Sequence, residues 1–397
     1  MPPLLRSASP FGVDALGFAG AHLSPAAVAA LTRLDEVLGS AVHPQLAAAW
    51  ETATLPASVL DPLIALDLMR PDGVDADEAA SSMFSGWRTY VLARTDASVA
   101  TAYNAQSGLF RTAVRLGGSP AQFAALDDEI AAFRIRGVFA LTEPGHGSDI
   151  AGGLETTARR DGDAWVIDGA KRWIGGADTA DVLVVFARDV ADGQVKAFLV
   201  PRTAPGVALT RIEGKVSLRP MQNFDVALDG VRVAETDRLP RVRAWRDVAG
   251  ILRALRSDVA WIATGMQAGA LDAALRYVGA REQFGGPLGG FQLVQEKLAR
   301  MLGNLTSSLG IVTRLSAAQD AGDVRDETSA LAKMQTALLA RETVSLAREI
   351  QGGNGILLAH DAARFFADAE SVYSYEGTHD INALIVGRAL TGESAFT

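Results

Sequence analysis

A carboxylate near residue 376 stands where it could do acid–base chemistry. Glu376 lies between Tyr375 and Gly377, shortly before an apolar helical pattern that begins at Ile381. A glutamate at this position could cap or precede the helix, because negative charge is favoured at the positive end of the helix dipole. In a partly apolar pocket the same side chain could be a general base whose pKa is set by burial and neighbours. The stretch alone leaves both roles open.

A glycine-rich stretch and a tryptophan could contact a ligand. The segment "FALTEPGHGSD", residues 139–149, flanks His146 with two glycines, so its backbone N–H groups could hold an anion or the polar edge of a planar ring. It could equally be a surface turn. Trp173, in "KRWIGGAD", could form a flat wall for a cofactor or fill a core.

Two further stretches combine charge with glycine. Arg281 begins "REQFG", and residues 349–355 read "EIQGGNG". An arginine beside glycines suits a pyrophosphate, because its planar fork matches phosphate oxygens and glycine permits close approach. Both stretches could also be ordinary helix C-caps.

Composition excludes several other chemistries. The absence of cysteine excludes disulfides, thiolate catalysis and zinc–thiolate sites, and the five histidines lack metal-ligand spacing, so no metal is expected. A net charge of −9 argues against nucleic-acid binding. No run of 18 apolar residues and no signal-like start is present, which predicts a cytoplasmic protein without a membrane contact.

The elements that must position these residues fall into three predicted domains, an α+β arrangement. Residues 1–136 have helical spacing, residues 137–245 carry short β-rich runs typical of an antiparallel sheet, and residues 246–397 return to helical spacing. The third domain is predicted to be an antiparallel four-helix bundle. Its clearest apolar seam consists of Phe291, Val294, Leu298, Met301 and Leu305.

The order of the motifs resembles that of the acyl-CoA dehydrogenase family over nearly the whole chain. The order is L-T-E-P-G-x-G-S-D, W-I, R-x-Q-F-G, G-G-N-G and Y-E-G-T. Closer detail, including "GKVSLRPMQN" and "YEGTHDINALIVGRALTG", resembles the branch of glutaryl-CoA dehydrogenases and plant short-chain acyl-CoA oxidases. The resemblance implies an N-terminal helical domain, a central β domain and a C-terminal four-helix bundle, assembled as a homotetramer (a dimer of dimers) with FAD between subunits.

The resemblance also assigns residues. It makes Glu376 the catalytic base that removes the α-proton of an acyl-CoA while the β-hydrogen leaves as hydride to flavin N5. It implies that FAD is held by Phe139, Leu141, Thr142, Ser148, Trp173, Ile174, Gly175, Arg281, Phe284, Gln292, Glu349, Gly352, Gly353, Thr378 and Asp380. It places the substrate thioester at Ser148, Arg256 and Gly377.

Two departures from the family pattern affect the expected substrate and electron acceptor. Alanines at 93 and 100 stand where glutaryl-CoA dehydrogenases carry a glutamate and an arginine, so we expect a neutral acyl chain. Gly175 stands where most dehydrogenases have threonine or serine, which removes a hydroxyl and is expected to open space beside flavin N5.

Three functions follow in order. The first is an FAD-dependent acyl-CoA dehydrogenase that passes electrons to an electron-transfer flavoprotein. The second is an acyl-CoA oxidase that passes them to oxygen. The third is a non-catalytic acyl-CoA or partner-binding protein on the same fold.

Overall fold

The computed structural model describes residues 9–394 and divides into two compact units. The first unit contains Met1–Thr101, Val216–Pro220 and Arg256–Thr397, and the second contains Ala102–Lys215 and Met221–Leu255. The β strands of the main sheet all belong to the second unit.

Helices make up most of the described chain. In chain order they are α1 (Phe18–His22), α2 (Pro25–Val37), α3 (Leu46–Thr52), α4 (Ala57–Ile64), α5 (Ala76–Ala80), α6 (Ser82–Thr95), α7 (Ala97–Asn104), α8 (Arg111–Gly117), α9 (Pro120–Ala131), α10 (Ile150–Gly153), α11 (Trp245–Ala280), α12 (Gln292–Asp320), α13 (Asp326–Ile350), α14 (Ala362–Ser374) and α15 (His379–Thr391). π-helical turns occupy Leu38–Val42 and Ala105–Phe110, and 3₁₀ turns occupy His43–Gln45, Glu235–Asp237, Leu288–Gly290 and Gly352–Ile356.

Local sequence explains where several helices begin. Ser24 caps α2 by accepting a hydrogen bond from the Ala27 N–H, and Pro25 occupies the first turn, where its missing donor costs nothing. Ser119 and Gln122 form a reciprocal capping box at the start of α9. The predicted helix start at Ser24 and Pro25 is therefore confirmed.

A seven-stranded sheet forms the centre of the second unit. Its strands are β1 (Gly137–Ala140), β2 (Thr157–Asp161), β3 (Ala164–Gly175), β4 (Val182–Asp189), β5 (Val195–Pro201), β6 (Val207–Arg211) and β7 (Asn223–Ala234). The order is β1-β4-β2-β3-β7-β6, with β5 also paired to β4. The prediction of a purely antiparallel sheet is wrong at β4, which runs parallel to β1 and β2. Both parallel pairs join strands that are separated along the chain by other elements, which gives the backbone room to return in the same direction.

The sheet buries apolar side chains in two clusters. One includes Ile167, Val185 and Phe198, and the other includes Phe110 and Phe186. This packing fixes the ends of β1 and β3, from which two of the candidate motifs extend.

The C-terminal helices of the first unit pack around polar and close-approach contacts. Gln267 of α11 donates to Ser308 Oγ of α12 (2.9 Å) and to the Thr336 carbonyl of α13 (3.3 Å). At Gly269 of α11 an added Cβ would lie 2.4 Å from Phe365 of α14, so the glycine permits that crossing.

The predicted apolar seam of α12 is only partly correct. Met301 and Leu305 are fully buried, but Phe291 lies outside the helix as its extended N-cap residue and is 37% exposed. An extended residue no longer follows the helical period, so the side chain leaves the buried stripe.

The predicted succession of N-terminal helices, central β structure and C-terminal helices is confirmed. β1 begins at Gly137 and α11 at Trp245, where the sequence predicts changes of domain; the division into three domains stays a prediction. Between residues 9 and 394 no helix has the length and hydrophobicity needed to cross a membrane.

Candidate active site

Glu376 lies in a tight turn between α14 and α15, within the first unit. Its φ is 53° and that of Gly377 is 89°, so the turn places two successive residues in the left-handed region. A non-glycine residue there carries about 1–2 kcal/mol of strain. Backbone strain of this kind is concentrated at functional sites.

The helix after this turn is capped by another residue. Thr378 is the N-cap of α15, and its hydroxyl accepts a hydrogen bond from the Ile381 N–H (3.2 Å). Asp380 lies exposed in the first turn, where its charge suits the helix dipole. The capping role left open for Glu376 is therefore taken by Thr378, which leaves the Glu376 carboxylate available for chemistry.

Burial and two cations set the protonation of Glu376. Burial raises the pKa of its carboxyl group, while the positive charges of Arg256 and Lys333 act in the opposite direction, and the net shift is upward. A carboxyl group with a raised pKa is a stronger base when ionised and lies closer to neutral working pH. Arg256, a predicted substrate contact on α11, is thus close enough to influence the base.

Asn382 completes the turn and was not singled out from the sequence. Its buried Nδ2 donates to the carbonyls of Gly377 (2.8 Å) and Thr378 (3.0 Å). A side chain at Gly377 would meet this amide at 3.1 Å and would have to adopt a φ of +89°. The Y-E-G-T motif therefore needs its glycine for the backbone itself.

In the second unit, the loop after β1 is held by a buried ion pair. Glu143 accepts hydrogen bonds from Lys171 Nζ (2.7 Å) and from the N–H groups of Glu155 (2.6 Å) and Thr156 (2.9 Å). Both charged side chains are almost fully buried, at 2% and 0% exposed. Burial raises the pKa of Glu143, but Lys171 and these hydrogen bonds outweigh it and hold the pKa below its usual range; burial lowers the pKa of Lys171 to about 8.

This pair explains how the predicted flavin-contacting backbone is placed. Lys171 Nζ also donates to the Leu141 carbonyl (3.2 Å), and the Arg172 N–H donates to the Thr142 carbonyl (2.8 Å). The sequence interpretation assigned the backbone at Leu141 and Thr142 but missed Lys171, although Glu143 stands inside the glycine-rich motif. A buried lysine cannot be recognised without its distant partner.

The glycines and serine of the same loop lie near the surface. Gly147 has an ordinary φ, and a Cβ added there would meet no atom of the described residues within 4 Å. Ser148 is exposed, and His146 bonds Asp149 through Nδ1 (2.8 Å). The chain itself does not require glycine at 147, so its open space suits the close approach of another molecule.

Trp173 and Ile174 point to different environments. Trp173 sits in an irregularity of β3, with a φ of 66° and half of its side chain exposed, and Arg172 lies over the indole at 5.1 Å. Ile174 is 3% exposed within the sheet core. Trp173 is thus free to form a wall for a cofactor, whereas Ile174 can contribute through its main chain.

The expectation of open space at Gly175 is wrong. An added Cβ would lie 2.5 Å from the terminal methyl Cε of Met221 and 3.4 Å from Asn223 Nδ2. Met221 fills the volume that the missing side chain would occupy. The φ of Gly175 lies outside the left-handed region, so the backbone would accept another residue.

Arg281 and Phe284 flank a short exposed hairpin in the first unit. Its strands are β8 (Glu282–Gln283) and β9 (Gly286–Pro287), and both loop residues have positive φ, 53° at Phe284 and 84° at Gly285. The Phe284 side chain is 95% exposed. A strained and exposed aromatic residue is typical of a contact with a ligand or partner.

The remaining predicted contacts are also accessible. Gln292 begins α12 and is exposed, and Glu349 is exposed near the end of α13 with an ion pair to Lys297 (3.2 Å). Gly352 needs its φ of 58°, but Gly353 has an ordinary φ and open space around an added Cβ, as at Gly147. These glycines and exposed polar groups fit a large polar cofactor.

Strained residues concentrate in the motifs. Among the described non-glycine residues, positive φ occurs at seven positions, and Trp173, Phe284 and Glu376 are three of them. Each belongs to a different motif of the sequence. Local propensity disfavours all three conformations, which supports a functional origin for them.

The two alanines that distinguish the chain from glutaryl-CoA dehydrogenases are fully buried. Ala93 of α6 lies where Gly265 of α11 approaches, and a Cβ on that glycine would be 2.8 Å from the Ala93 Cβ. Ala100 of α7 is also 0% exposed. Neither position has a charged side chain of its own to meet a carboxylate.

Comparisons with known proteins identify the family. The family model "Acyl-CoA dehydrogenase, middle domain" matches residues 138–231, and "Acyl-CoA dehydrogenase, C-terminal domain" matches residues 245–391. The chain is 36% identical over 254 residues to short-chain specific acyl-CoA dehydrogenase of Bos taurus, an alignment that spans 63% of this chain and 61% of the bovine enzyme. It is 31% identical over 293 residues to the probable acyl-CoA dehydrogenase YngJ of Bacillus subtilis, covering 71% of this chain and 77% of that protein.

A solved structure agrees along almost the full length. A glutaryl-CoA dehydrogenase from Mycobacterium smegmatis in complex with FADH2 is 29% identical, with a TM-score of 0.90, and the match covers 98% of this chain and all of that one. The motif order, the fold and these matches agree, and the chain belongs to the acyl-CoA dehydrogenase family.

Proposed function

We propose that this protein oxidises an acyl-CoA thioester to the 2-enoyl-CoA, with Glu376 as the base that removes the α-proton. The observation that carries the proposal is the Glu376 turn. Its carboxylate has a raised pKa, sits on a strained backbone and does not cap the following helix. These are the properties expected of a general base rather than of a structural glutamate.

Membership of the family confirms the predicted enzyme class, an oxidoreductase acting on CH–CH groups, and FAD as the family's cofactor. When bound, FAD supplies the acceptor for the hydride that leaves the β-carbon. The exposed Trp173, the loop around Gly147, the Arg281 hairpin and the open backbone at Gly353 are the features of this chain that would hold it.

The chain's own residues account for the acid–base half of the reaction. The α-C–H of a thioester is a weak acid, so its carbonyl oxygen needs donors where enolate charge develops. The backbone N–H of Glu376 is the donor this chain would provide there. The raised pKa makes the carboxylate a better proton acceptor, and Arg256 keeps it ionised for the reaction.

The acyl group is proposed to be neutral and short to medium in length. Ala93 and Ala100 are fully buried, and an unpaired substrate carboxylate among such side chains would be costly. The similarity to the bovine short-chain enzyme supports this class of substrate. The similarity to the M. smegmatis glutaryl-CoA dehydrogenase lies in the fold and does not include this pair of charged residues.

The electron acceptor is proposed to be an electron-transfer flavoprotein. Met221 fills the space at Gly175, which removes one of the two reasons for expecting fast access of oxygen. An oxidase remains the second candidate, because Gly175 still lacks the hydroxyl of the family's threonine or serine. A non-catalytic role is disfavoured by the retained base.

The assembly is proposed to be a homotetramer that acts in the cytoplasm. Large apolar side chains are exposed on the C-terminal helices and the hairpin of the first unit: Phe284 (95%), Leu390 (82%), Leu293 (74%) and Ile356 (66%). Exposed apolar residues in these motifs are consistent with contacts between copies of the chain.

Anaerobic titration of the purified yellow protein tests the proposal. Butyryl-CoA should bleach the flavin absorbance, and glutaryl-CoA should do so poorly. A flavin that no neutral acyl-CoA reduces would contradict the proposed reaction, and efficient reduction by glutaryl-CoA would contradict the proposed substrate class.

A further inference from the structure

Lys333 is a buried lysine that the proposed mechanism does not yet use. It lies on α13 and is 0% exposed, a rare state for a lysine unless its charge is compensated. Its ammonium group donates to the carbonyls of Tyr373 (2.9 Å) and Gly377 (2.8 Å). Both acceptors lie in the segment that carries Glu376.

The two bonds bracket the base. Tyr373 lies in the last turn of α14, where carbonyl groups have no partner within the helix, and Gly377 follows Glu376 directly. One ammonium group therefore ties the end of α14 to the far side of the turn. Asn382 also donates to the Gly377 carbonyl (2.8 Å), so that carbonyl is held from two helices.

We propose that Lys333 is a positioning residue for Glu376: it clamps the turn from residue 373 to 377 and holds a positive charge beside the carboxylate. The inference rests on the proposed function of Glu376 as the base. The clamp keeps Glu376 at a φ of 53°, a conformation that the residue would not hold by itself. Lys333 acts through the base and is not itself expected to touch the substrate.

The surrounding charges determine the sign of the electrostatic effect. Arg256 of α11 and Lys333 of α13 both oppose the rise that burial causes in the Glu376 pKa. Burial lowers the pKa of Lys333 to about 8, Glu376 raises it and Arg256 lowers it further. Near the same turn, the His379 ring of α15 stacks on Tyr373 at 4.7 Å, and the Arg341 guanidinium of α13 lies 4.4 Å from the centre of the Tyr373 ring.

Loss of the Lys333 charge should therefore raise the pKa of Glu376. The expected rise is about one pH unit, the low end of the effect of an opposite charge on a nearby carboxyl group. The loss of the clamp should in addition lower kcat more than it changes KM, because the base would lose its position and not its substrate contacts.

The test compares Lys333→Met and Lys333→Gln with the unmodified holoenzyme. An infrared pH titration follows the carboxyl band of Glu376, which is identified by its absence in Glu376→Gln. The midpoint should rise by about one pH unit in both lysine variants. Lys333→Gln retains an amide donor for the carbonyls and thus remains informative if Lys333→Met does not fold.

Lys171→Met is the matched control, because Lys171 is also fully buried and also has a pKa lowered to about 8, but it pairs with Glu143 in the second unit. It should leave the Glu376 midpoint unchanged. Lys333→Arg, which keeps the charge, should restore the midpoint toward that of the unmodified protein. An unchanged midpoint in folded Lys333→Gln would overturn the proposal.

The infrared titration needs no turnover, so the two hypotheses can fail separately. A shifted midpoint in a protein that no acyl-CoA reduces would support the link between Lys333 and Glu376 and reject the proposed reaction. Normal reduction by butyryl-CoA with an unshifted midpoint would reject the positioning role and keep the reaction.

Discussion

Replacement of Gly175 by threonine should force Met221 to move. The new Cβ would lie 2.5 Å from the Met221 methyl group, roughly 1 Å inside the optimal carbon–carbon separation of about 3.5 Å. The backbone adds no strain, since Gly175 does not have a left-handed φ. Overpacking costs about 1–3 kcal/mol, and the flexible methionine places this case near the lower end.

Denaturant unfolding of Gly175→Thr, Met221→Ala and the double variant measures this effect. Gly175→Thr alone should lower the free energy of unfolding by about 1–2 kcal/mol. In the Met221→Ala background, the same substitution should cost almost nothing, because the colliding methyl group is gone. Strictly additive losses in the double variant would refute the proposed contact.

The same variants test oxygen reactivity. Flavin reoxidation in oxygenated buffer should be slower in Gly175→Thr/Met221→Ala than in Met221→Ala, because the threonine restores both a hydroxyl and side-chain volume. Equal stopped-flow rates would mean that residue 175 serves as a spacer for Met221 and does not control the acceptor.

Three other substitutions probe the substrate pocket, the cofactor and acid stability. Ala100→Arg should lower the free energy of unfolding by several kcal/mol without creating efficient glutaryl-CoA turnover, since a buried guanidinium would lack the glutamate that position 93 no longer provides; thermal unfolding with a substrate assay checks both, and a stable variant that turns over glutaryl-CoA would contradict it. Arg281→Ala should weaken FAD retention by roughly tenfold or more, as a charge-assisted fork is lost; equilibrium dialysis that finds unchanged affinity would remove Arg281 from the site. Burial raises the pKa of Asp361, but a hydrogen bond from His43 and the charge of Arg364 outweigh it and hold the pKa below its usual range, so its stabilising contribution is present above about pH 4 and is lost as the pH falls further. Asp361→Asn should therefore flatten the loss of stability between about pH 5 and pH 2, and an unaltered pH dependence of unfolding would show that this carboxylate is not responsible.

Features encoded by local pattern could be predicted from the sequence. The capping of α2 by Ser24, the change to β structure at Gly137 and the position of the Glu376 turn all follow from short stretches. The parallel pairing of β4 could not be predicted, because it depends on how separate strands meet in the sheet. Phe291 left the predicted seam because its extended backbone ended the helical period.

The unpredicted parts of the site depend on contacts between distant residues. Met221 fills the space beside Gly175, Lys171 pairs with Glu143, and Lys333 reaches the turn of Glu376 from another helix. Nothing in the local sequence of a lysine or methionine reveals such a partner. The family resemblance supplied the role of Glu376, and the structure supplied its strained backbone and its cationic neighbours.

Single-turnover flavin reduction by Glu376→Gln is the most direct test of the central claim. The amide cannot accept the α-proton, so anaerobic mixing with butyryl-CoA should reduce the flavin at least about 10²-fold more slowly, with FAD still bound and the unfolding temperature little changed. Glu370→Gln, an exposed glutamate of α14 that pairs with Arg341, is the control and should reduce its flavin at the normal rate. Reduction of the Glu376→Gln flavin at the rate of the unmodified protein would contradict the assignment of Glu376 as the base.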